Sequence, residues 1–370
     1  MPVELSVMVI GAYGNFGSII SRRLAREQKI KLVLAGRSVD QVAALAEELG
    51  ARSWQGDALG PAFAAALRTF DVDLVIHTAG PFQGQDHHVA RACIEAGAHY
   101  CDLSDAREFV AGITQLNDAA SARGVAILSG CSSVPTLSSA VIDAFIARVG
   151  DGFRVETLHY GITSSAKMPG LSTVKGVLSY AGRPIPQWRD GQSVEVAGWQ
   201  GLYPVKIKGI NGWRLVADVD VPDMALFPER YGARDVCFKA GPGLALGTLA
   251  NYLLARLVRS GLVTDTDRAA RWLHRLGQRF EKFGNGKSAF YMELTGLAAD
   301  GRSLTYRWEL LATHDKGPQI PCCAAIALAR KMAAGYRPTP GARICVGELN
   351  LQEYLDEIGP SFITVTEWTR

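Results

Sequence analysis

The stretch Leu5-Ser-Val-Met-Val-Ile10-Gly11-Ala-Tyr13-Gly14-Asn15-Phe16-Gly17-Ser-Ile-Ile20 decides how the first half of this 370-residue chain is read. A short apolar run ends on a glycine, two more glycines follow at intervals of three, and an amphipathic segment, Ser18–Gln28, begins at once. A strand that turns through glycines directly into a helix is the setting in which a glycine triplet binds a dinucleotide. Gly11 permits the tight turn, Gly14 lets backbone approach a diphosphate, and Gly17 lets helix and strand pack closely, with the diphosphate on the helix N-terminus. Tyr13, Asn15 and Phe16 lie between these glycines and are placed against the cofactor with them.

Outward from this turn, short apolar runs alternate with helical patterns. The runs Lys31–Ala35, Ala51–Trp54, Leu74–His77, Ala98–Asp102 and Val125–Leu128 enclose amphipathic segments such as Asp40–Leu49 and His87–Ala96. This alternation predicts βαβ units and a doubly wound parallel sheet of six strands, the Rossmann arrangement. Ser38 with Gln41 reads as a capping box, and Gly97 as the residue that ends a helix. An NAD site would end its second strand in Asp or Glu for the ribose 2′-hydroxyl, whereas this strand ends Leu34-Ala-Gly-Arg37-Ser38. A cation and a hydroxyl there suit a 2′-phosphate, so the expected cofactor is NADP(H). Asp57, after the third strand, is a candidate for the adenine. Ala79, Gly80 and Pro81 close the fourth strand with small residues that let the nicotinamide half lie across the crevice.

Composition narrows the function. Basic and acidic side chains number 39 and 36, a net charge of +3, with no Lys/Arg block, which speaks against nucleic-acid binding. The seven cysteines are scattered without metal-ligand spacing, so no metal site is expected and a reducing compartment is. The N-terminus has no basic region or cleavage site ahead of Leu5, so a cytoplasmic location is expected. The most apolar stretch, Ala240–Ala255, has 16 residues against the ~20 that span a bilayer. It reads as a buried helix, with peripheral membrane contact as the alternative.

The motifs Gly11-x-Tyr-Gly-x-x-Gly17, Ala35-Gly-Arg-Ser38, Ala79-Gly-Pro-Phe82, His99-Tyr-Cys-Asp-Leu-Ser104 and Gly130-Cys-Ser-Ser-Val-Pro135 resemble the saccharopine dehydrogenase-like (saccharopine reductase-related) oxidoreductases. The resemblance is firm over residues 1 to about 140 and looser beyond Tyr160. It implies a Rossmann domain plus a second α+β domain, and a reduced nicotinamide facing a pocket between them. It names no single substrate, because members act on imines, ketones and lipid enoyl groups.

Beyond residue 150 strands and helices segregate, which predicts an α+β domain on a mostly antiparallel sheet. Its runs are Val155–Ile162, Tyr203–Ile210, Asp235–Lys239, Ala289–Leu297 and Leu304–Thr313, with helices at Thr173–Ala181, Leu244–Arg259, Asp265–Phe283 and Cys322–Ala334. The division is therefore a cofactor domain over 1–150 and a substrate and dimerisation domain over 151–370, with about 318–370 packing back on the first; a homodimer is expected. Residues 1–150 carry 12 basic and 15 acidic groups (−3), leaving 27 and 21 (+6) for the rest. That excess suits a small anionic substrate, or is simply a solvated helix face.

No Tyr-x-x-x-Lys pair and no Gly-x-Ser-x-Gly elbow occurs. A hydride acceptor needs a proton donor within reach. The candidates are Cys131, with Ser132 and Ser133, after the sixth strand; Asp105, with Asp102, after the fifth; and Tyr160 and Lys167, opening the second domain. His77 and the His87-His88 pair read as structural. The resulting expectation is an NADP(H)-dependent oxidoreductase acting on C=N or C=O. An enoyl-lipid reductase and a non-catalytic NADP(H) sensor are the alternatives.

Overall fold

The structure, a computed structural model, describes residues 4–150, 152–165 and 169–370. Strands β1–β6 are Leu5–Ile10, Ile30–Gly36, Arg52–Gln55, Leu74–His77, His99–Asp102 and Ala126–Ser129. Strands β7–β12 are Arg154–Ser164, Pro184–Arg189, Gln192–Ala197, Tyr203–Val205, Arg214–Asp218 and Asp235–Pro242. Strands β13–β16 are Ser288–Leu297, Ser303–Ala312, Gly341–Ile344 and Ile363–Thr369.

The chain divides into two compact units, Met1–Ala140 with Gln319–Glu357, and Val141–Pro318 with Ile358–Arg370. The first unit takes its last strand and helix Cys323–Ala333 from the C-terminal region. Its sheet has seven strands in the order β15-β6-β5-β4-β1-β2-β3, and every pairing is parallel. Strands covered on both faces show unbroken burial, as β1 does from Leu5 to Ile10. The core on one face gathers Met8, Ile10, Val33, Phe63, Val75 and Tyr100. The seventh strand, β15, lies beside β6 with Gly341 opposite Ala126, one strand more than the apolar runs predict.

The second unit is built on a nine-stranded sheet ordered β10-β11-β12-β7-β13-β14-β16, with β8 on β12 and β9 on β8. Only β7 and β12 pair in parallel; the rest of the path is antiparallel. Alternation along β7 buries Leu158 and Tyr160 and exposes His159. The rings of Tyr160 and Phe238, and of Phe290 and Trp308, meet at centroid distances of 5.1 and 5.9 Å in this core. The expected strand at Tyr203–Ile210 is regular only to Val205, and the chain beyond it runs across the sheet face, where the backbone N–H of Lys208 donates to Glu309 Oε2 at 2.8 Å. The helix expected to be buried at Leu244–Arg259 forms as Ala245–Arg259, but it buries only Thr248, Leu254 and Ala255 and leaves Leu246, Leu249, Leu253 and Leu257 exposed.

Candidate functional site

The turn after β1 has the geometry that its glycines predict. Gly11 sits at φ +76°. A Cβ on Gly17 would stand 2.1 Å from Gly11 O and 2.8 Å from Thr78 Oγ1, which no side chain can do. A Cβ on Gly14 would meet only Gly11 O, at 3.0 Å. The first helix then runs Asn15–Leu24 with Gly14 at its N-cap, no side chain capping it and no acidic residue in its first turn. Its leading N–H groups have no intrahelical acceptor and carry the positive end of the helix dipole, so the turn is shaped and charged for a diphosphate.

Two contacts lock this cradle. Thr78, just past β4, donates its hydroxyl to Ile10 O at 2.7 Å, joining the ends of the two central strands under Gly11 and Gly17. Tyr13 lies over Gly36, whose Cβ would be 2.5 Å from the tyrosine ring, and its hydroxyl accepts the Ser38 N–H at 3.3 Å. Tyr13 thereby fixes the end of β2 against the glycine turn. There Arg37 is exposed, and among the described residues no carboxylate lies within ion-pair distance of it. Ser38 occupies the N-cap of helix Val39–Leu49 but makes no side-chain cap bond, so the expected capping box with Gln41 does not form. Asp57 is exposed and uses Oδ1 to accept the Leu59 N–H at 3.0 Å, closing its own loop. Ala79, Gly80 and Pro81 follow β4, and Gln85 holds them by donating to Ala79 O at 3.2 Å and Pro81 O at 2.6 Å. Neither Thr78 nor Gln85 was singled out by sequence; the small residue closing a strand was the available signal for Thr78.

The expected proton donors fare differently. Cys131 is fully buried; burial pushes its thiol well up, with Cys101 and Cys345 alongside, and it packs as a small core residue. Ser132 and Ser133 are buried with it. Asp102 is a buried clasp whose Oδ1 accepts the N–H of Ser104 and of Gly130, each at 2.9 Å, holding together the loops after β5 and β6. Tyr160 lies in the second unit's core and donates its hydroxyl to Asp223 Oδ2 at 2.7 Å, so it too is structural. Lys167 lies outside the described residues. Asp105 is half-buried, on the loop after β5, and Oδ1 accepts from Gln83 Nε2 at 3.3 Å.

A thiol count tests the reading of Cys131. All seven cysteines are free and only Cys237 is not buried. A bulky aromatic disulfide reagent should label at most Cys237 in the native protein and every cysteine after denaturation. Native labelling of Cys131 would restore it as a site residue.

The second unit has its own groove of about 920 Å³ on the sheet face opposite the aromatic core, lined by His159, Tyr203, Lys206, Trp213, Lys239 and Arg307. Two of its cations are already engaged, Lys239 with Asp218 and Arg307 with Glu309.

Residues 7–128 match the family described as Saccharopine dehydrogenase NADP binding domain. The saccharopine dehydrogenase (L-Glu forming) of Saccharomyces cerevisiae has the same fold over 99% of this chain and 100% of its own, with TM-score 0.69 and 15% identity. The homospermidine synthase of Legionella pneumophila, solved with NAD, aligns over 99% of this chain and 91% of its own, with TM-score 0.68 and 9% identity. A Mycobacterium tuberculosis protein named for trans-acting enoyl reductase activity is 31% identical over 144 residues, 36% of this chain. That match spans 34% of the relative's own length. Residues 7–128 therefore match the saccharopine dehydrogenase NADP binding domain, and the chain as a whole shares the saccharopine dehydrogenase fold.

Proposed function

We propose that the chain is an NADP(H)-dependent oxidoreductase that moves hydride to or from a C=N or C=O group of a small, anionic substrate. The observation that carries this reading is the uncapped helix N-terminus behind Gly11, Gly14 and Gly17, with Arg37 and Ser38 free at the end of the neighbouring strand. A bound nicotinamide supplies or accepts the hydride. The residues of the chain bind and orient: Gly14, whose own N–H donates to Gly11 O at 2.8 Å, leaves room for the diphosphate, Asn15, Phe16 and Gly17 present N–H groups to it, Arg37 and Ser38 take the 2′-phosphate, and Asp57 borders the adenine. Ala79, Gly80 and Pro81, held by Gln85, bound the nicotinamide end. Asp105 is the donor of the expected set that keeps partial exposure beside this edge, and we assign it the proton.

Cofactor choice is the test. A hydrogen bond to a charged group contributes roughly 1.5–3 kcal/mol, which is on the order of tenfold to a hundredfold in affinity. Binding isotherms should show NADPH held at least about tenfold more tightly than NADH, with Arg37→Ala removing most of that preference. Equal affinities in the wild type, or a preference that survives the substitution, would remove the 2′-phosphate assignment.

The relatives named for enoyl reduction favour a second reading, in which the acceptor is an enoyl C=C. NADPH oxidation with a short enoyl thioester, set against an imine-forming carbonyl and amine pair, separates the two.

A further inference from the structure

Eight of the chain's exposed large hydrophobic side chains fall between residues 246 and 283: Leu246, Leu249, Leu253, Leu257, Leu262, Trp272, Phe280 and Phe283. The first four recur at intervals of three and four along helix Ala245–Arg259, which places them on one stripe. The helix face that carries Thr248, Leu254 and Ala255 is buried on the sheet, so the leucine stripe lies on the outside, with Leu246 73% and Leu253 58% exposed. A helix apolar on both sides needs an apolar phase on both sides.

The following helix, Thr266–Phe280, supplies the rest of the chemistry. It buries Ala270 and turns outward Trp272 together with Arg268, Arg275 and Arg279, which lie three, four or seven residues from it. Residues 245–283 contain seven basic side chains and three acidic ones, a net +4. Two of the three acids are engaged: Asp265 caps the Arg268 N–H at 2.8 Å, and Asp267 pairs with Lys175 and Arg271. Among the described residues Arg256, Arg259, Arg268, Arg275 and Arg279 have no carboxylate within ion-pair distance.

We propose that the leucine stripe of helix Ala245–Arg259 and the arginine–tryptophan face of helix Thr266–Phe280 form a docking surface for an anionic lipid membrane. Leucines enter the acyl boundary, Trp272 and Phe283 sit at headgroup depth, and the arginines keep their stems in apolar contact while their guanidinium groups meet lipid phosphates. The first helix has 15 residues and none of the described helices is long and apolar enough to cross a bilayer, so the contact is with one leaflet. A second copy of this chain is the poorer occupant, because a two-fold contact centred here would set arginine ladder against arginine ladder. The proposal is independent of the hydride chemistry.

Flotation of the full chain with vesicles made of phosphatidylglycerol and phosphatidylcholine, against phosphatidylcholine alone, tests it. The chain should bind the anionic vesicles at least about tenfold more tightly, and less so as salt rises. Leu253→Glu with Leu257→Glu should abolish the binding, and Arg275→Glu with Arg279→Glu should erase the lipid preference. Both pairs are exposed, so melting temperature and NADPH affinity should be unchanged, which separates failure here from failure of the cofactor site. No binding by the wild type, or binding that neither pair weakens, overturns the proposal. So does a dimer in analytical ultracentrifugation that the leucine pair converts to monomer, which would give the stripe to a second copy.

Discussion

Gly17→Ala should unfold or strongly destabilise the first unit, while Gly14→Val, three residues away, should leave the fold and remove the cofactor. The contrast follows from what a side chain would meet. At Gly17 the first carbon already lies 2.1 Å from Gly11 O and 2.8 Å from its carbonyl carbon, and backbone has nowhere to go between β1 and the helix. Overpacking a close-packed site costs roughly 1–3 kcal/mol and occasionally more; at the upper end that is about 6–12 °C in Tm for a unit of this size. At Gly14 the backbone is extended, at φ −68° and ψ 174°, a conformation open to any residue, and the sole neighbour is Gly11 O at 3.0 Å. Valine there occupies the space through which a diphosphate reaches the helix N-terminus. NADPH affinity should fall by at least about a hundredfold, roughly 3 kcal/mol. Thermal melts and calorimetric titration of both variants measure this. Undiminished NADPH binding by Gly14→Val would end the assignment of the turn to the diphosphate, and a wild-type melt for Gly17→Ala would show that the helix sits further from β1 than the structure has it.

The strand, turn and helix around these glycines are legible in sequence because every contributing signal is local. An apolar run, a glycine turn and an amphipathic segment adjoin one another between Leu5 and Gln28, and buried parallel strands announce themselves as continuous apolar runs. β15 has no such signal: it is four residues long, only its first two are buried, and its partner β6 lies more than 200 residues earlier. The β8–β9 hairpin did carry one. Asp190-Gly191 joins Arg189 to its partner Gln192, with φ at +51° and +76°, the two-residue turn that favours Asp-Gly. Pro184 and Pro186 mask it, since proline argues against a strand except near an edge or a strand start. The burial of Tyr160 was also legible: it shares its face with Leu158, the inward one, whereas His159 between them is exposed. Cys131 was not. Its burial depends on Cys101 and Cys345 arriving from remote parts of the chain, and nothing in Gly130-Cys-Ser-Ser-Val-Pro135 foretells that.

The stability of the first unit should fall as pH is lowered from about 6.5 to 4, before most carboxylates titrate. His77 ends β4 almost wholly enclosed, its Nδ1 3.1 Å from the Tyr100 hydroxyl and its ring edge-on to Phe82. Burial depresses its pKa from 6.5 to about 4, against a small opposing effect of the Ala79 backbone. His99 shifts the same way through burial, and its Nδ1 accepts the Ala126 N–H at 3.0 Å, a bond that only an unprotonated nitrogen can make. Below pH 6.5 the unfolded chain binds a proton at His77 that the folded chain declines. Stability therefore rises with pH through this window and is lost on acidification until about pH 4, where the folded imidazole also protonates. At 1.36 kcal/mol per pKa unit the His77 contribution is about 3 kcal/mol. Urea unfolding followed from pH 7 to 4.5 should show a slope that His77→Asn largely removes, since Asn keeps an acceptor for Tyr100 without a titrating group. A wild-type slope in that variant would mean that acid sensitivity arises elsewhere. A shallow slope in both would mean that solvent reaches the imidazole, and His77 would then stand beside Asp105 as a group able to exchange protons at the cofactor's edge.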